Sequence, residues 1–527
     1  MLEDSAYEAL KKIVGEDNIA KDPAILDTYA FQWGEELYNA KPGKKPDRFG
    51  QRPLAVVLPK STEEVQAIIR ICNDHDLKFK ALSTGLGRWA GVSSPRAIQI
   101  DLRRMNRILE VDAKNMYAVI EPYVTNAELQ SELFKYGLMH HAQGAGPQTS
   151  PLASHTSFVG PGFTSPYTGF SARNVLGVEW VLPDGAILRL GSFDHNGKWF
   201  SGDGPGPSLR GVMRGWLGAY GGLGVFTKCA IRLYSWPAQK DWKWKTGGTI
   251  PNYEWDIPNY WKIFVLNFEN WETYEKAYYE IGDRELAMIA TTSAAEGLAV
   301  MFTNTKTDAM NLIMAGLLSK IKKYIILLVA AHTQREFEFR TKLLKLIADK
   351  YGGKDLVETG VIKPKPMHYG EAVRNMLGAH AFRFSNCFQS THGGMDAISL
   401  AVKIAQLNKP IKQKYIKKHV IGDDRGEGIW LTGYEGGHMA HLEAPTVYNP
   451  TSAESCSGYT EYQDESNKMD LEQALGMPFF IVGDEIHNYY ADRTMNYPDW
   501  LRKIKASFDP KGASDSGFYV TGVAKKK

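Results

Sequence analysis

Ser83-Thr84-Gly85-Leu86-Gly87-Arg88-Trp89-Ala90-Gly91 is a glycine-rich loop between two strand-like segments, and the other motifs of the chain are ordered around it. Its three glycines permit positive φ, so that successive backbone N–H groups turn toward one point. Such a concavity suits a pyrophosphate. A surface turn without any ligand is the alternative that this loop alone leaves open, because short motifs often match by chance.

The segments on either side of the loop follow an alternating order. Leu77–Leu82 alternates as a strand and leads into the loop, and Ala97–Leu102 is a strand-like run after it. Upstream, Pro53–Pro59 is a short β-run bounded by prolines. Ser61 then stands as a helix N-cap with Glu64 three residues on. The order is therefore strand, helix, strand, loop, strand.

Two further regions are rich in glycine. One runs from His141 to Phe163, and the other from Gly202 to Lys228. Each lies between strand-like runs, such as Val175–Leu182 before the second of them. So many segments with permissive backbones indicate a long ligand lying against the main chain.

Composition limits the class of protein. The chain has 527 residues, 43% hydrophobic and 23% charged, which predicts two or three domains of ordinary globular type. A formal net charge of +3 without a basic stripe argues against a nucleic-acid partner. The four cysteines form no CxxC pair, so no zinc site or iron–sulfur cluster is predicted. The longest apolar run, 324–331, is too short to span a bilayer, and no secretory signal is evident, so a cytoplasmic location is expected.

Five segments, in order along the chain, match motifs of one flavoprotein family. They are Leu58–Val65, Ser83–Gly91, Arg104–Val111, Leu176–Gly185 and Gly221–Lys228. Together they resemble the FAD-binding domain of the vanillyl-alcohol oxidase / p-cresol methylhydroxylase (PCMH) family. The resemblance covers roughly residues 50–235 and returns at Ile504–Gly512, which is similar to the family's C-terminal segment.

The resemblance implies an α+β, two-domain PCMH-type FAD-binding fold with an inserted cap domain made of an antiparallel sheet with helices. It places an N-terminal arm at 1–50, the FAD-binding domain at 51–238, the cap or substrate domain at 239–480 and a C-terminal segment returning to the FAD domain at 481–527. The sequence favours an insertion, because glycine becomes sparser after Pro237 and strand-like and helix-like runs alternate over 260–420.

The resemblance also implies which residues hold the cofactor, FAD. These are Ser83, Thr84, Gly85, Leu86, Gly87, Arg88 and Trp89 at the pyrophosphate and ring edge, with Ser154, His155, Gly160, Gly162, Glu179 and Val225 elsewhere along the molecule. Many relatives attach FAD covalently, but residues 83–91 contain no His, Cys or Tyr, and the corresponding cap segment reads Phe384-Ser385-Asn386-Cys387-Phe388. Non-covalent FAD is therefore predicted, with His392 or His155 as the first residues to test otherwise.

The departures from the family bear on the substrate. Phenol-oxidising relatives place a tyrosine where this chain has Ala90 and an acid where it has Phe158-Val159. Without those groups the sequence shows no means to stabilise a phenolate or receive a proton at that place. A para-substituted phenol is therefore disfavoured as substrate.

Catalytic candidates lie in the predicted cap. Arg383 alternates with aromatic residues on a strand-like run and would clamp a carboxylate or stabilise reduced flavin, unless it belongs to a solvated sheet face. On a strand, His441 and Glu443 share one face and His438 the other, which disfavours a three-ligand metal site. His441 with Glu443 as its orienting partner would form a base, structural residues being the alternative. Tyr434 is a further candidate; Glu435 and His487 are weaker ones.

The interpretation that follows is an FAD-dependent dehydrogenase. It would transfer a hydride from an activated C–H or C–OH carbon of a small organic substrate to flavin N5, and pass the electrons to a protein carrier. An oxygen-using oxidase of the same fold, a redox-neutral enzyme resembling alkylglycerone-phosphate synthase and a non-catalytic flavin electron-relay subunit stay open. So do the identity of the substrate and homo-oligomer formation.

Overall fold

A computed structural model of the chain describes most of its residues. The described ranges are 2–39, 46–85, 87–141, 146–157, 160–191, 209–213, 217–238, 244–246, 253–293, 299, 306–315, 321–364, 366, 368–370, 388–476 and 483–522.

The helices are α1 Asp4–Val14, α2 Pro23–Ala30, α3 Glu35–Asn39, α4 Thr62–Asp74, α5 Asn126–Phe134, α6 Pro151–Thr156, α7 Ser165–Thr168, α8 Trp271–Asp283, α9 Lys306–Met314, α10 Gln334–Lys350, α11 Ile398–Lys417, α12 Ala453–Glu472, α13 Gly483–Tyr490 and α14 Tyr497–Phe508. In the described part of the chain, helices long and apolar enough to cross a bilayer are absent.

The strands are β1 Ile19–Ala20, β2 Val56–Val57, β3 Lys78–Leu82, β4 Ala97–Asp101, β5 Ile108–Asp112, β6 Tyr117–Ile120, β7 Leu138–Met139, β8 Val175–Val181, β9 Ile187–Leu190, β10 Val225–Arg232, β11 Tyr234–Ser235, β12 Trp244–Thr246, β13 Tyr253–Trp255, β14 Trp261–Phe268, β15 Ile289–Ser293, β16 Lys323–Ala330, β17 Lys354–Asp355, β18 Phe388–Ala397, β19 Trp430–Tyr434 and β20 Met439–Val447.

The glycine loop follows a small sheet of order β1-β2-β4-β3, in which β4 runs parallel to both β2 and β3. Helix α4 connects β2 to β3 and begins where predicted, because the Ser61 hydroxyl accepts a hydrogen bond from the Glu64 N–H at 3.2 Å. Val65, Ile68 and Ile69 of α4 are fully buried in the core beneath this sheet. The predicted strand–helix–strand–loop–strand order is confirmed.

A second sheet, antiparallel and of order β5-β6-β10-β8-β9, packs beside the first. Trp180 on β8 donates from Nε1 to the Leu223 carbonyl at 2.8 Å, and its ring stacks on Phe508 of α14 at 5.4 Å. The segment after α14 joins the small sheet, because Phe79 of β3 pairs in parallel with Ser514. Residues after 496 therefore contact both sheets that precede residue 235.

The third sheet is the largest and follows the order β17-β14-β16-β15-β19-β20-β18, with every pairing antiparallel. Helices α8, α10 and α11 bury one of its faces in a core that includes Leu327, Leu431 and Leu442. The expected α+β architecture with an antiparallel cap sheet is confirmed. The domain limits drawn from the sequence stay predictions.

Residues 20–50 are rich in Lys, Pro and Gly, which predicts an irregular arm, but the structure differs from this prediction. The arm contains helices α2 and α3, and α2 begins at Pro23 because the Asp22 carboxylate caps the N–H of Ala24 at 2.9 Å. In α3, Glu35 lies 3.3 Å from Arg88 Nε, while the neighbouring Glu36 accepts a hydrogen bond from Tyr448 OH at 2.7 Å. The arm thus links the glycine loop to the end of β20.

Candidate functional site

The described part of the glycine loop needs glycine at two positions. A Cβ on Gly85 would lie 2.6 Å from the Ala90 Cβ, and Gly87 has φ +88° with the Trp89 ring 2.7 Å from its Cβ position. The Ser83 hydroxyl donates to the Pro122 carbonyl at 2.5 Å. The Thr84 hydroxyl accepts from the Ser150 N–H at 2.8 Å. Both hydroxyls are therefore engaged by protein. Leu86 lies outside the described residues.

Arg88 and Trp89 are held by the N-terminal arm. The Arg88 guanidinium lies 3.5 Å above the Tyr38 ring and 3.3 Å from a Glu35 carboxylate oxygen. Trp89 is 9% exposed and meets Trp33 edge to face at 6.0 Å. The loop is thus braced from outside, which reduces the conformational freedom that a ligand would otherwise have to remove.

The second glycine region folds tightly around buried polar side chains. A Cβ on Gly160 would lie 2.5 Å from the Ser171 hydroxyl and 3.0 Å from the Ser154 Cβ. His155 is 1% exposed, and its Nδ1 lies 3.4 Å from the Ser154 hydroxyl. Its Nε2 has no hydrogen-bond partner among the residues that the structure describes. Burial, reinforced by His141, lowers the pKa of His155 well below its usual value, so the imidazole is neutral.

The sequence did not single out two neighbouring histidines. His141 Nε2 donates to the Gly160 carbonyl at 2.6 Å, and its ring lies 5.8 Å from that of His155. Burial lowers the pKa of His140 and of His141 to about 4. In the sequence, the dipeptide His140-His141 next to a glycine-rich run is the feature that could have indicated these buried histidines. In the described residues, groups of three or more His, Cys, Asp or Glu arranged to hold a metal ion are absent.

Glu179 and Val225 are placed in sheet cores. The Glu179 carboxylate accepts from the Thr62 hydroxyl at 2.6 Å, from Lys228 Nζ at 2.8 Å and from Arg189 Nε at 2.9 Å. Because both of its oxygens already have donors, Glu179 joins α4 to the second sheet, and its role toward the cofactor stays a prediction. Val225 is 1% exposed, so only its backbone is available to a ligand.

One face of the cap sheet is turned toward the second glycine region. Its side chains come from β19 and β20, where Thr432 pairs with His441 and Trp430 with Glu443. The Thr432 hydroxyl lies 3.5 Å from the Gly162 carbonyl, and the Trp430 ring lies 5.7 Å from that of Phe163. We call this surface, defined by Trp430, Thr432, Tyr434, His441 and Glu443, the inner face of the cap sheet.

His441 and Glu443 form a hydrogen-bonded pair on the inner face, with 2.7 Å between His441 Nε2 and Glu443 Oε1. The His441 side chain is fully buried, whereas that of Glu443 is 13% exposed. The shared face was predicted by the period of two. The predicted order of the pair, with His441 as the base and Glu443 as its orienting partner, stays a prediction, and the greater exposure of Glu443 makes it the end of the pair nearer to solvent.

Tyr434 closes the end of the inner face. It is 4% exposed and belongs to an aromatic cluster with Trp89, Phe170 and Phe518. Burial raises the pKa of Tyr434 to about 12, so its hydroxyl is protonated at neutral pH and can donate a hydrogen bond. Tyr434 and Trp89, a residue of the glycine loop, thus belong to the same aromatic cluster.

The other candidate residues either lie outside the described residues or are placed away from the inner face. Arg383 and the Phe158-Val159 pair lie outside the described residues, as does the side chain of His392. His438 is half exposed in the turn before β20, with Nε2 3.2 Å from an Asp283 oxygen. Glu435, in the same turn, forms an ion pair with Arg173. His487 lies on α13, where burial lowers its pKa to about 4.

Comparison with known proteins identifies the glycine loop. The family described as "FAD binding domain" matches residues 53–191, which include the loop, α4 and the second glycine region. The matched residues, 53–191, form an FAD-binding domain of the kind found in the vanillyl-alcohol oxidase / p-cresol methylhydroxylase flavoproteins, to which this chain is similar. FAD is therefore the cofactor, as predicted.

Curated relatives match this chain over part of their length. The probable mitochondrial D-lactate dehydrogenase of Danio rerio is 26% identical over 231 residues, 44% of this chain and 42% of that protein. The flavoprotein subunit of 4-cresol dehydrogenase from Pseudomonas putida is 26% identical over 243 residues, 44% of this chain and 43% of that protein. The chain thus spans less than half of the length of these relatives.

Solved structures match the fold of this chain over nearly its whole length. The 4-ethylphenol oxidase of Gulosibacter chungangensis, in complex with isoeugenol, has a TM-score of 0.73 at 19% identity, covering 98% of this chain and 97% of that one. A p-cresol methylhydroxylase structure with bound substrate has a TM-score of 0.71 at 17% identity, covering 97% of each chain. At these identities the likeness establishes the fold alone.

The residues present fit FAD. Gly85, Gly87 and Gly160 pack too closely against Ala90, Trp89 and Ser171 to carry a Cβ, so that these positions present backbone alone, and the hydroxyls of Ser83 and Thr84 brace the loop through their hydrogen bonds to protein. FAD would be held by the backbone of residues 83–89 of this PCMH-type domain, with His155 Nε2 and the 160–162 backbone further along the cofactor.

Replacing Gly85 by Ala is expected to weaken FAD binding about tenfold, because the new methyl group overlaps Ala90 and forces the loop to shift. The FAD content of the purified variant and its dissociation constant measure this effect. Gly211→Ala is the control, since nothing lies within 4 Å of its Cβ position. Equal FAD affinity in the Gly85 variant and the wild type would show that the loop does not contact the cofactor.

Proposed function

We propose that the protein is an FAD-dependent dehydrogenase that oxidises an activated C–H or C–OH carbon of a small organic substrate and passes the electrons to a protein carrier. The observation that carries the proposal is the Glu443–His441 pair on the inner face, which is turned toward the glycine region of the FAD-binding domain. The relatives support the reaction class, because their names include D-lactate dehydrogenase, D-2-hydroxyglutarate dehydrogenase and 4-cresol dehydrogenase.

The chain's own groups divide the work as follows. FAD, when bound, accepts the hydride. Glu443 receives the proton of the substrate hydroxyl, since it is the accessible end of the pair, and His441 holds the carboxylate in position. Tyr434 donates a hydrogen bond to a substrate oxygen. The cluster of Tyr434 with Trp89, Phe170 and Phe518 excludes water from the reacting carbon.

The structure favours a hydroxy acid over a phenol as the substrate to test first. Ala90, where phenol-oxidising relatives have a tyrosine, is 8% exposed and packs on Gly85, and it has no polar atom on its side chain. Arg383, predicted to clamp a carboxylate, stays a prediction. The protein carrier as electron acceptor and the cytoplasmic location are likewise predictions from the sequence.

An anaerobic spectral titration tests the function. The purified protein is mixed with 2-hydroxy acids, aromatic alcohols and alkyl phenols, and air is then admitted. Bleaching of the flavin band by one class with slow reoxidation in air is the expected result. Fast reoxidation would make the protein an oxidase. No bleaching by any compound, despite bound FAD, would contradict the proposal and favour the relay subunit.

Trichloroacetic acid precipitation is expected to release the flavin into the supernatant. The sequence of the loop 83–91 contains no His, Cys or Tyr for attachment to the ring. The absorbance of supernatant and pellet measures the partition. Yellow colour in the pellet would show a covalent bond, and variants of His392 and His155 would then identify the linking residue.

A further inference from the structure

Lys80 carries a buried ammonium group that the protein leaves without a hydrogen bond. The residue lies on β3, three positions before Ser83, and is 1% exposed. Within the described part of the chain, its Nζ has no hydrogen-bond partner. An ammonium in this condition is costly, because burial removes its hydration and no hydrogen bond from the described residues replaces it. A site that keeps such a charge requires compensation from a nearby anion.

The position of Lys80 brings together three segments of the FAD-binding domain. Strand β3 continues directly into the glycine loop. A Cβ on Gly221, in the third glycine-rich region, would lie 3.4 Å from Lys80 Cδ. The ring centroid of Phe518, in the segment after α14, lies 5.1 Å from Lys80 Nζ, and the Arg88 guanidinium lies 5.1 Å from the same centroid. Lys80 is therefore enclosed where these segments meet.

The carboxylate with the strongest electrostatic effect on Lys80 is that of Asp515, and it already accepts hydrogen bonds from other residues. Asp515 attracts the ammonium at a distance, but its carboxylate accepts the N–H groups of Ser93 at 2.5 Å and of Ser94 at 3.1 Å, as well as the Ser93 hydroxyl. The Asp515 carboxylate therefore holds the turn at Ser93 and Ser94 and makes no direct ion pair with Lys80.

The other two cations near Lys80 have their own partners. Lys505, which repels it, pairs with Asp509 and donates to the Gly222 carbonyl at 2.7 Å. Arg88 pairs with Glu35. Beside Lys80 on the sheet, Gln99 Nε2 donates to the Lys80 carbonyl at 3.0 Å, and Gln99 Oε1, the atom that could accept from an ammonium, is not bonded to Lys80. Among the described residues of this group, Lys80 is thus the cation without a hydrogen-bonded or ion-paired partner.

We propose that Lys80 is a positioning residue for FAD, whose buried positive charge attracts the cofactor's diphosphate to the backbone amides of the adjoining glycine loop. The ammonium is covered by protein, so it acts through its field and the amides make the contacts. Such a field is effective because a buried charge is little screened by solvent or salt. The proposal rests on FAD as cofactor and is independent of the reaction proposed above.

Lys80→Met tests this in protein produced under riboflavin limitation, so that binding to FAD-free chains can be measured. The dissociation constant for FAD is expected to rise about tenfold or more, the effect of losing one buried charge at an anion site. Lys78→Met is the matched control, on the same strand and partly exposed, with an expected change below about twofold. An unchanged FAD affinity in Lys80→Met would overturn the proposal.

Calorimetric titration with ADP and with adenosine separates the diphosphate from the rest of the cofactor. ADP binding is expected to weaken in Lys80→Met by the same factor as FAD binding, while adenosine binding stays as in the wild type. An equal loss for adenosine would show a distorted site instead of a missing charge, and would overturn the proposal. So would a loss for FAD with none for ADP, which would place the effect at the flavin ring.

Two further measurements distinguish this role from a structural one. The FAD-free Lys80→Met protein is expected to melt at the same or a higher temperature than the wild type, because a buried uncompensated charge has been removed. Burial lowers the pKa of Lys80 to about 8, opposed by Asp515 and reinforced by Lys505. Wild-type FAD affinity should therefore fall as pH rises through 8, and the variant should lack that step. A lower melting temperature, or the same pH dependence in both, would contradict the proposal.

Discussion

Replacing Glu443 by Gln is expected to slow substrate-dependent flavin bleaching by about 10²- to 10⁴-fold, the usual contribution of a general base. The amide has the shape of the carboxylate but cannot take the proton of the substrate hydroxyl. Its oxygen still reaches His441, 2.7 Å from the wild-type carboxylate, so the strand pairing of β20 with β18 and β19 is retained. Stopped-flow absorbance under anaerobic conditions measures the rate.

Glu269→Gln is the matched control, because Glu269 is an exposed carboxylate that pairs with Lys322 away from the inner face. It should bleach at the wild-type rate. FAD content must be equal in both variants, so that a slow rate reports chemistry. Wild-type bleaching in Glu443→Gln would remove Glu443 from the mechanism. His441→Gln should bleach slowly as well and change the pH profile of the rate, as expected of a residue that acts through Glu443.

Replacing Asp509 by Asn is expected to cost about 3–5 kcal/mol of stability, which is the effect of leaving one partner of a buried ion pair alone. Asp509 and Lys505 pair with both side chains 1% exposed. The Asp509 carboxylate also accepts the N–H groups of Ala513 at 2.8 Å and Ser514 at 3.0 Å, which shapes the segment that reaches β3. Urea unfolding followed by tryptophan fluorescence and by flavin release measures the loss.

The control lies about three turns earlier, in the first turn of α14. Asp499 is 61% exposed and lies 3.4 Å from Arg502, and its replacement by Asn should change the stability by less than about 0.5 kcal/mol. Flavin release is expected to shift more than the cap signal in Asp509→Asn, since the affected segment contacts β3. Equal effects of the two replacements would show that the Lys505–Asp509 pair adds nothing to stability.

Local patterns predicted those parts of the fold in which neighbouring residues determine the structure. The prolines around β2, the Ser61 cap and the apolar face of α4 lie within a few turns of one another, and each behaves as its residue type predicts. The apolar run at 324–331 forms β16 for the same reason, because it pairs on both sides inside the cap sheet. Helices α2 and α3 were missed, although Asp22 and Pro23 are a recognisable helix start, whereas the opening helix predicted over residues 5–16 is present as α1.

The candidate site was predicted less completely, because its chemistry depends on contacts between distant segments. Alternation along β20 placed His441 and Glu443 on one face, but burial by Trp430 and the FAD-binding domain determines which of them is accessible. Glu179 was assigned to FAD by resemblance, whereas its donors come from α4, β9 and β10. Lys80 has no motif of its own, and only its packing shows that it lacks a counter-ion.

The pairing of Phe79 with Ser514 has a consequence for synthesis on the ribosome. The cap sheet draws its strands from residues 261–447, so it can form before residue 514 has been translated. The small sheet beside the glycine loop gains its contact with Ser514 only afterwards. A nascent chain that stalls after the cap would therefore contain a folded cap sheet and a glycine loop whose preceding strand lacks that contact.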